Sequence, residues 1–116
     1  MGNGDGGLIR IRGSAIKGLV WHVSWPFAYV EINTAMVRIK AEGSVETAYK
    51  AKGDLIEYLP PKITRGASIR VVDASGEAGS IRFLPMDERL FPTLAANGWQ
   101  VVERAPAPRD LGQEDS

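Results

Sequence analysis

The 116-residue chain has no cysteine, which excludes disulfide frameworks, thiol nucleophiles and thiolate-ligated zinc at once. It has a single histidine, His22, so a metal centre built from several imidazoles is excluded and only one imidazole base is on offer. Charge of one sign is lacking as well: 14 Lys and Arg stand against 14 Asp and Glu, with a pI near 6.6. A domain that holds nucleic acid electrostatically carries an overall positive field, so no nucleic-acid partner is expected. The longest apolar stretch, Gly18 to Val30, is interrupted by His22, Ser24 and Pro26 and falls short of the ~20 residues that span a bilayer. It begins too late, and without a basic lead or a small-residue cleavage site, to read as a signal peptide. A cytoplasmic location is the expectation.

What is present is ordinary globular composition, 44% hydrophobic and 24% charged, in a length that suits one domain with its own core. The ends differ from the middle. Met1 to Gly7 is Gly-rich and has little to pack, and Ala105 to Ser116 is Pro-rich and then polar and acidic. Both read as flexible, leaving residues 8–104 as the single folded domain. Between these limits the period is mostly two. Leu19, Trp21, Val23 and Trp25 share one face, Pro26 breaks the run, and Phe27 to Ile32 resumes it. Asn33-Thr34 then turns into Met36 to Ala41, a hairpin by its local signals. Further strands are read at Val45–Ala51, Leu55–Leu59, Ala67–Val72 and Gly79–Leu84, with Ile81 and Phe83 inward. Asp87 to Gly98 changes to helical period, with Leu90 and Leu94 on one face and Gly98 as the stop. Pro92 suits the first helical position better than a helix interior, which places the start near Phe91 and makes Asp87 to Leu90 a preceding turn. Trp99 to Val102 reads as a short terminal strand that returns Trp99 to the core.

This order of elements, together with Val23-Ser24-Trp25-Pro26-Phe27, Gly79-Ser80-Ile81-Arg82-Phe83 and Leu94-Ala95-Ala96-Asn97-Gly98-Trp99-Gln100-Val101, resembles the small bacterial versions of the pleckstrin-homology-like (PH-like) fold. The resemblance implies a mainly β domain: a bent antiparallel barrel of about seven strands capped by one helix, plus a short terminal strand. It covers nearly the whole folded span, with two departures. Trp99 to Glu103 extends past the helix that ordinarily ends the fold, and Pro92 sits inside that helix. Lipid-binding members carry Lys and Arg in the loop joining their first two strands, whereas the matching loop here, Ser24-Trp25-Pro26, has none. The resemblance therefore implies a scaffold that binds proteins rather than a phosphoinositide receptor.

No chemical motif displaces that expectation. Gly2-x-Gly4-x-x-Gly7 matches a dinucleotide-binding pattern in letters only, since no strand precedes it. Ser14, Ser24 and Ser80 lack a nucleophile-elbow context, and His22 reads as a structural or surface residue. Asp87-Glu88 reads as a helix-start feature rather than an acid/base pair. Glu31, Glu42, Glu46 and Glu57 lack calcium-loop spacing, so neither metal nor cofactor is expected. The expected function is non-catalytic binding of a protein segment, along an exposed sheet edge or on the surface between that edge and the helix. Its candidate residues are Trp25, Pro26 and Phe27 in an exposed turn, with Lys50, Lys52, Lys62 and Arg65 for anionic character. The alternative is a peripheral module drawn weakly to anionic lipid by those basic residues. The expected oligomeric state is a monomer or a weak dimer.

Overall fold

Wherever Ile or Val alternates with a charged residue, the chain forms a strand whose apolar side chains share one face. The computed structural model describes residues 8–18, 21–61 and 66–103. The expected flexible ends lie outside the described residues, as do Lys62 and Arg65. The elements are β1 (Ile9–Lys17), β2 (Trp21–Ile32), β3 (Met36–Ala41), β4 (Ser44–Tyr49), a 3-10 turn at Lys50–Lys52, β5 (Leu55–Leu59), β6 (Ser68–Val72), β7 (Arg82–Pro85), α1 (Leu90–Ala96) and β8 (Val101–Val102). They build one open eight-stranded sheet in the order β4-β3-β2-β1-β7-β6-β5-β8. All pairings are antiparallel except β5 with β8, which is parallel and makes the sheet mixed.

The strand read at Val45–Ala51 ends at Tyr49 before the 3-10 turn, that read at Gly79–Leu84 is Arg82–Pro85, and two larger differences concern the first strands. Ile9–Lys17, where Ile9 and Ile11 alternate with Arg10 and Arg12, is the central strand β1, although the period-two reading begins only at Leu19. Pro26 does not separate two strands, because Trp21–Ile32 is continuous as β2. The chain passes from β1 to β2 between Lys17 and Trp21, and Ser24-Trp25-Pro26 lies within a strand. The Asn33 turn holds as read. Its Oδ1 accepts the Ala35 and Met36 amides at 2.9 and 2.8 Å and starts β3.

The core gathers Ile11 and Ala15 from β1, Val23, Ala28, Val30 and Ile32 from β2, Val37, Ile39 and Ala41 from β3, Ile56 from β5, Ile69 from β6, and Ile81 and Phe83 around β7. Phe83 is fully buried over Gly13. A Cβ there would stand 2.7 Å from Phe83 Cζ and meet the Leu84 carbonyl, so only glycine lets β1 and β7 approach this closely.

Helix α1 turns Leu90 and Leu94 into this core. Pro92 is its third residue, within the first turn, where backbone N–H groups have no intrahelical acceptor and proline removes no bond. The acidic pair Asp87-Glu88 precedes the helix instead of occupying its first turn. Asp87 Oδ1 accepts the Arg89 amide at 2.9 Å and shapes the turn into Leu90. The helix ends at Asn97, and Gly98 follows with φ of 79°. Trp99 then returns to the core at 5% exposure, and its Nε1 donates to the Asn33 carbonyl at 2.8 Å.

Side-chain bonds draw edge strand β4 toward the other half of the sheet. Glu46 Oε2 accepts the Ser80 amide at 2.8 Å and the Ser80 hydroxyl at 3.0 Å, and its Oε1 accepts the Ile81 amide at 3.1 Å. Asp54 Oδ2 accepts the Tyr49 amide at 2.9 Å. Among the described residues no helix is long and apolar enough to cross a membrane.

Candidate functional site

The side chains best placed for recognition are organised by an irregularity between β1 and β2. Gly13 pairs with Ala28 but Ala15 pairs with Val23, so Ser14 alone stands opposite Ser24, Trp25, Pro26 and Phe27. Those four residues leave the ladder as a bulge, and the inward parity of β2 changes from Val23 to Ala28 across it. Trp25 and Phe27 are consequently held outward, 56% and 69% exposed. The Trp25–Pro26 peptide is cis, and Arg12 Nη1 donates to the Pro26 carbonyl at 3.2 Å.

Beside the bulge, register lines the outer face of β1–β4 into two cross-strand rows. One reads Arg12, Tyr29, Lys40 and Val45; the next reads Arg10, Glu31, Arg38 and Thr47. The Tyr29 ring has Arg10 at 4.3 Å, Lys40 at 5.6 Å and Arg12 at 6.0 Å from its centroid. Glu31, only 5% exposed, receives Arg10 at 3.0 Å and Arg38 at 3.2 Å. Arg12 and Lys40 make no ion pair with a described carboxylate. Four cations thus surround one tyrosine and one carboxylate, next to two exposed aromatic rings. Such a face favours an anionic partner that also offers apolar surface.

Of the residues proposed from sequence, the described ones lie in two separate places, and Lys62 and Arg65 lie outside the described residues. Trp25, Pro26 and Phe27 lie in the middle of β2, just before the β2–β3 ladder begins with Ala28 opposite Ala41, and Ala41 meets Ser44 at the start of β4. Lys50 and Lys52 follow Tyr49, at the opposite end of β4, roughly 17 Å away at ~3.4 Å per residue. Lys50 Nζ donates to the Asn97 carbonyl at 2.6 Å and stands 5.1 Å from the Trp99 ring, while Lys52 lies 5.0 Å from the Tyr49 ring. Both therefore make local contacts around the C-terminal end of α1 and the 3-10 turn. Arg70 on β6 is bonded to Glu57 Oε1 through Nε at 2.7 Å. His22 is exposed on β2.

Sequence reasoning missed Arg10, Arg12, Arg38 and Lys40. The available signal was two pairs of basic residues, each spaced i, i+2 between isoleucines or valine, which a strand places on one polar face. Reading it required β1 to be recognised as a strand and as the neighbour of β2.

Two aspartates outside this face have carboxyls held below the usual value. For Asp73 the chief cause is the Ser75 hydroxyl, followed by the Glu77 amide. For Asp87 it is the Arg89 side chain, followed by the Arg89 amide. Each stabilises a turn. Among the described residues no group of three or more His, Cys, Asp or Glu is placed to hold a metal ion. No family model matches the chain, and no curated protein or solved structure does.

Proposed function

We propose that the chain is a non-catalytic binding module that recognises a segment of another protein through the outer face of β1–β3 and the β2 bulge. The observation that carries this reading is the exposure of Trp25 and Phe27 within a strand, beside the Arg12 and Lys40 cations that flank Tyr29. Large rings held outward next to cations without a carboxylate partner are costly to solvate together, and a partner with acidic and apolar groups relieves both. We further propose that the domain is a PH-like barrel. The antiparallel meander, the one C-terminal helix and the Glu46 bonds that draw β4 toward Ser80 and Ile81 support that assignment.

A second reading, recruitment to anionic membranes, is favoured by the same exposed aromatic pair together with Met86, 64% exposed just beyond β7. One comparison separates the two. Immobilised protein and a Trp25→Ser/Phe27→Ser variant are exposed to cell extract and, separately, to phosphatidylglycerol vesicles at low and high salt. A protein retained by the parent and lost from the variant supports the module. Salt-sensitive vesicle binding with the same loss carries the membrane reading. Equal behaviour of both proteins in both arms sinks the bulge as a site.

A further inference from the structure

The two sides of β1 are not equally covered. Toward β2 the strand is paired along nearly its whole length, from Ile9 with Ile32 to Lys17 with Trp21. Toward β7 it is paired only at Gly13, Ser14, Ala15 and Ile16. The ladder stops where Gly13 meets Pro85, because proline brings no N–H and the chain then turns through Met86 and Asp87 into α1. Among the described residues no strand therefore pairs with Ile9–Arg12 on that side. In an antiparallel ladder, alternate residues aim both backbone groups at the same neighbour. Half of the N–H and C=O groups of Ile9–Arg12 are accordingly directed at an edge where the β7 ladder has ended.

At the Ile9 end of this edge opens a groove of about 420 Å³, bounded by Ile9 on one side and by Glu88, Arg89, Pro92, Thr93 and Ala96 on the other. Its apolar contributions are Ile9, itself 40% exposed, Pro92 and Ala96. On the outer face of the same four strand residues stand Arg10 and Arg12, the latter without a carboxylate partner among the described residues. Backbone groups, apolar floor and cationic rim call for different things from one occupant. The first needs an extended main chain, the second side chains of modest apolar bulk on one face, and the third acidic side chains on the other.

We propose that an extended segment of another protein, alternating apolar and acidic residues, adds to β1 at Ile9–Arg12 as an antiparallel strand. It continues the position of β7 and lies in the groove beside α1. Its apolar residues face Ile9, Pro92 and Ala96, and its acidic residues lie beside Arg10 and Arg12. The added strand is about four residues long, spanning ~13 Å, and its main-chain bonds supply affinity while the two faces supply selectivity. This inference rests on the reading of the chain as a module that binds a protein segment, but it uses a different side of β1 from the Trp25–Phe27 bulge.

Because the chain has no cysteine, an Ala96→Cys replacement on the exposed face of α1 gives one disulfide attachment point. A peptide of Cys-Gly-Gly followed by alternating valine and glutamate, acetylated and amidated, is tethered there, raising its local concentration to the millimolar range. Amide hydrogen exchange is then read residue by residue. The expected result is that the open-edge amides within Ile9–Arg12 slow by ~10-fold or more. A copy N-methylated at alternate residues is expected to give no slowing, and a lysine-for-glutamate copy less. Attachment through Glu88→Cys at the other end of the groove repeats the measurement should the first variant fold poorly. Unchanged exchange with both attachments, or equal slowing by the methylated copy, overturns the proposal. So does strong protection of those amides before tethering, which means that the chain or a second copy already covers the edge. Protection at Ile9–Arg12 combined with no role for Trp25 and Phe27 in capture separates failure of the bulge reading from failure of this one.

Discussion

At the scale of single residues, two positions carry more than their size suggests. Gly13 is where the Phe83 ring and the Leu84 carbonyl press against β1, and well-packed interiors do not yield easily to an added methyl group. Gly13→Ala is expected to lower stability by about 1–3 kcal/mol, seen as a lower denaturation midpoint with unchanged slope. A neutral effect means that β7 is free to retreat from β1. Asp73 stabilises its turn through the Ser75 hydroxyl and amide and the Glu77 amide, which hold its carboxyl below the ordinary 3.8. Its folded value lies under its unfolded one, so this contribution is fully present above about pH 3.8 and is lost as pH falls through the lowered folded value. Carboxyl NMR is expected to place the Asp73 midpoint below that of an unstructured aspartate, and Ser75→Ala to move it upward. A midpoint indifferent to Ser75 removes the hydroxyl as the main cause.

At the scale of elements, the short helix shows how position governs the effect of a proline. Pro92 occupies the third residue of α1, while Thr93 N already donates to the Arg89 carbonyl at 2.9 Å. Pro92→Ala is therefore expected to change stability by less than about 1 kcal/mol, through the entropy of the unfolded chain. Thr93→Pro, one residue further on, is expected to cost ~3 kcal/mol or more, because it removes that bond and clashes with the preceding turn. Denaturant titration of the two variants checks the contrast, and similar losses would mean that the helix begins elsewhere. The same element explains the groove. The chain leaves the sheet at Pro85 and crosses into α1, which ends the β7 ladder halfway along β1.

At the scale of the whole molecule, the arrangement depends on what happens at the margins of an open sheet. Glu46 reaches from β4 to three donors on Ser80 and Ile81, and hydrogen bonds to a charged group are worth ~1.5–3 kcal/mol. Glu46→Ala is expected to cost about 2 kcal/mol by that measure and to speed amide exchange at Ser80 and Ile81 while leaving the β2–β3 hairpin protected. Uniform loss of protection would show that the contact does not act locally. Charge follows the same logic. The chain is neutral overall, yet folding sorts Arg10, Arg12, Arg38 and Lys40 onto one face around Tyr29.

What the sequence determined by itself were the features set by neighbours along the chain. Alternation in Met36–Ala41 marks the β2–β3 hairpin, the Asn33 side chain marks its turn, and the Leu90 and Leu94 spacing with Gly98 marks the helix and its stop. The core placement of Trp99 was also legible, as an aromatic residue returning after a helix stop. The exposure of Trp25 could be read from the adjoining proline, although the reason is a bulge within one strand rather than a turn between two. Only the tertiary structure decided which strands lie side by side, since pairing joins residues far apart in sequence and local periodicity is silent about partners. It therefore brought Arg10 and Arg12 against Tyr29 and Lys40, and set Lys50 beside Asn97 at the other end of the sheet. It also left Ile9–Arg12 of β1 without a paired strand on the β7 side among the described residues, near a helix distant in sequence.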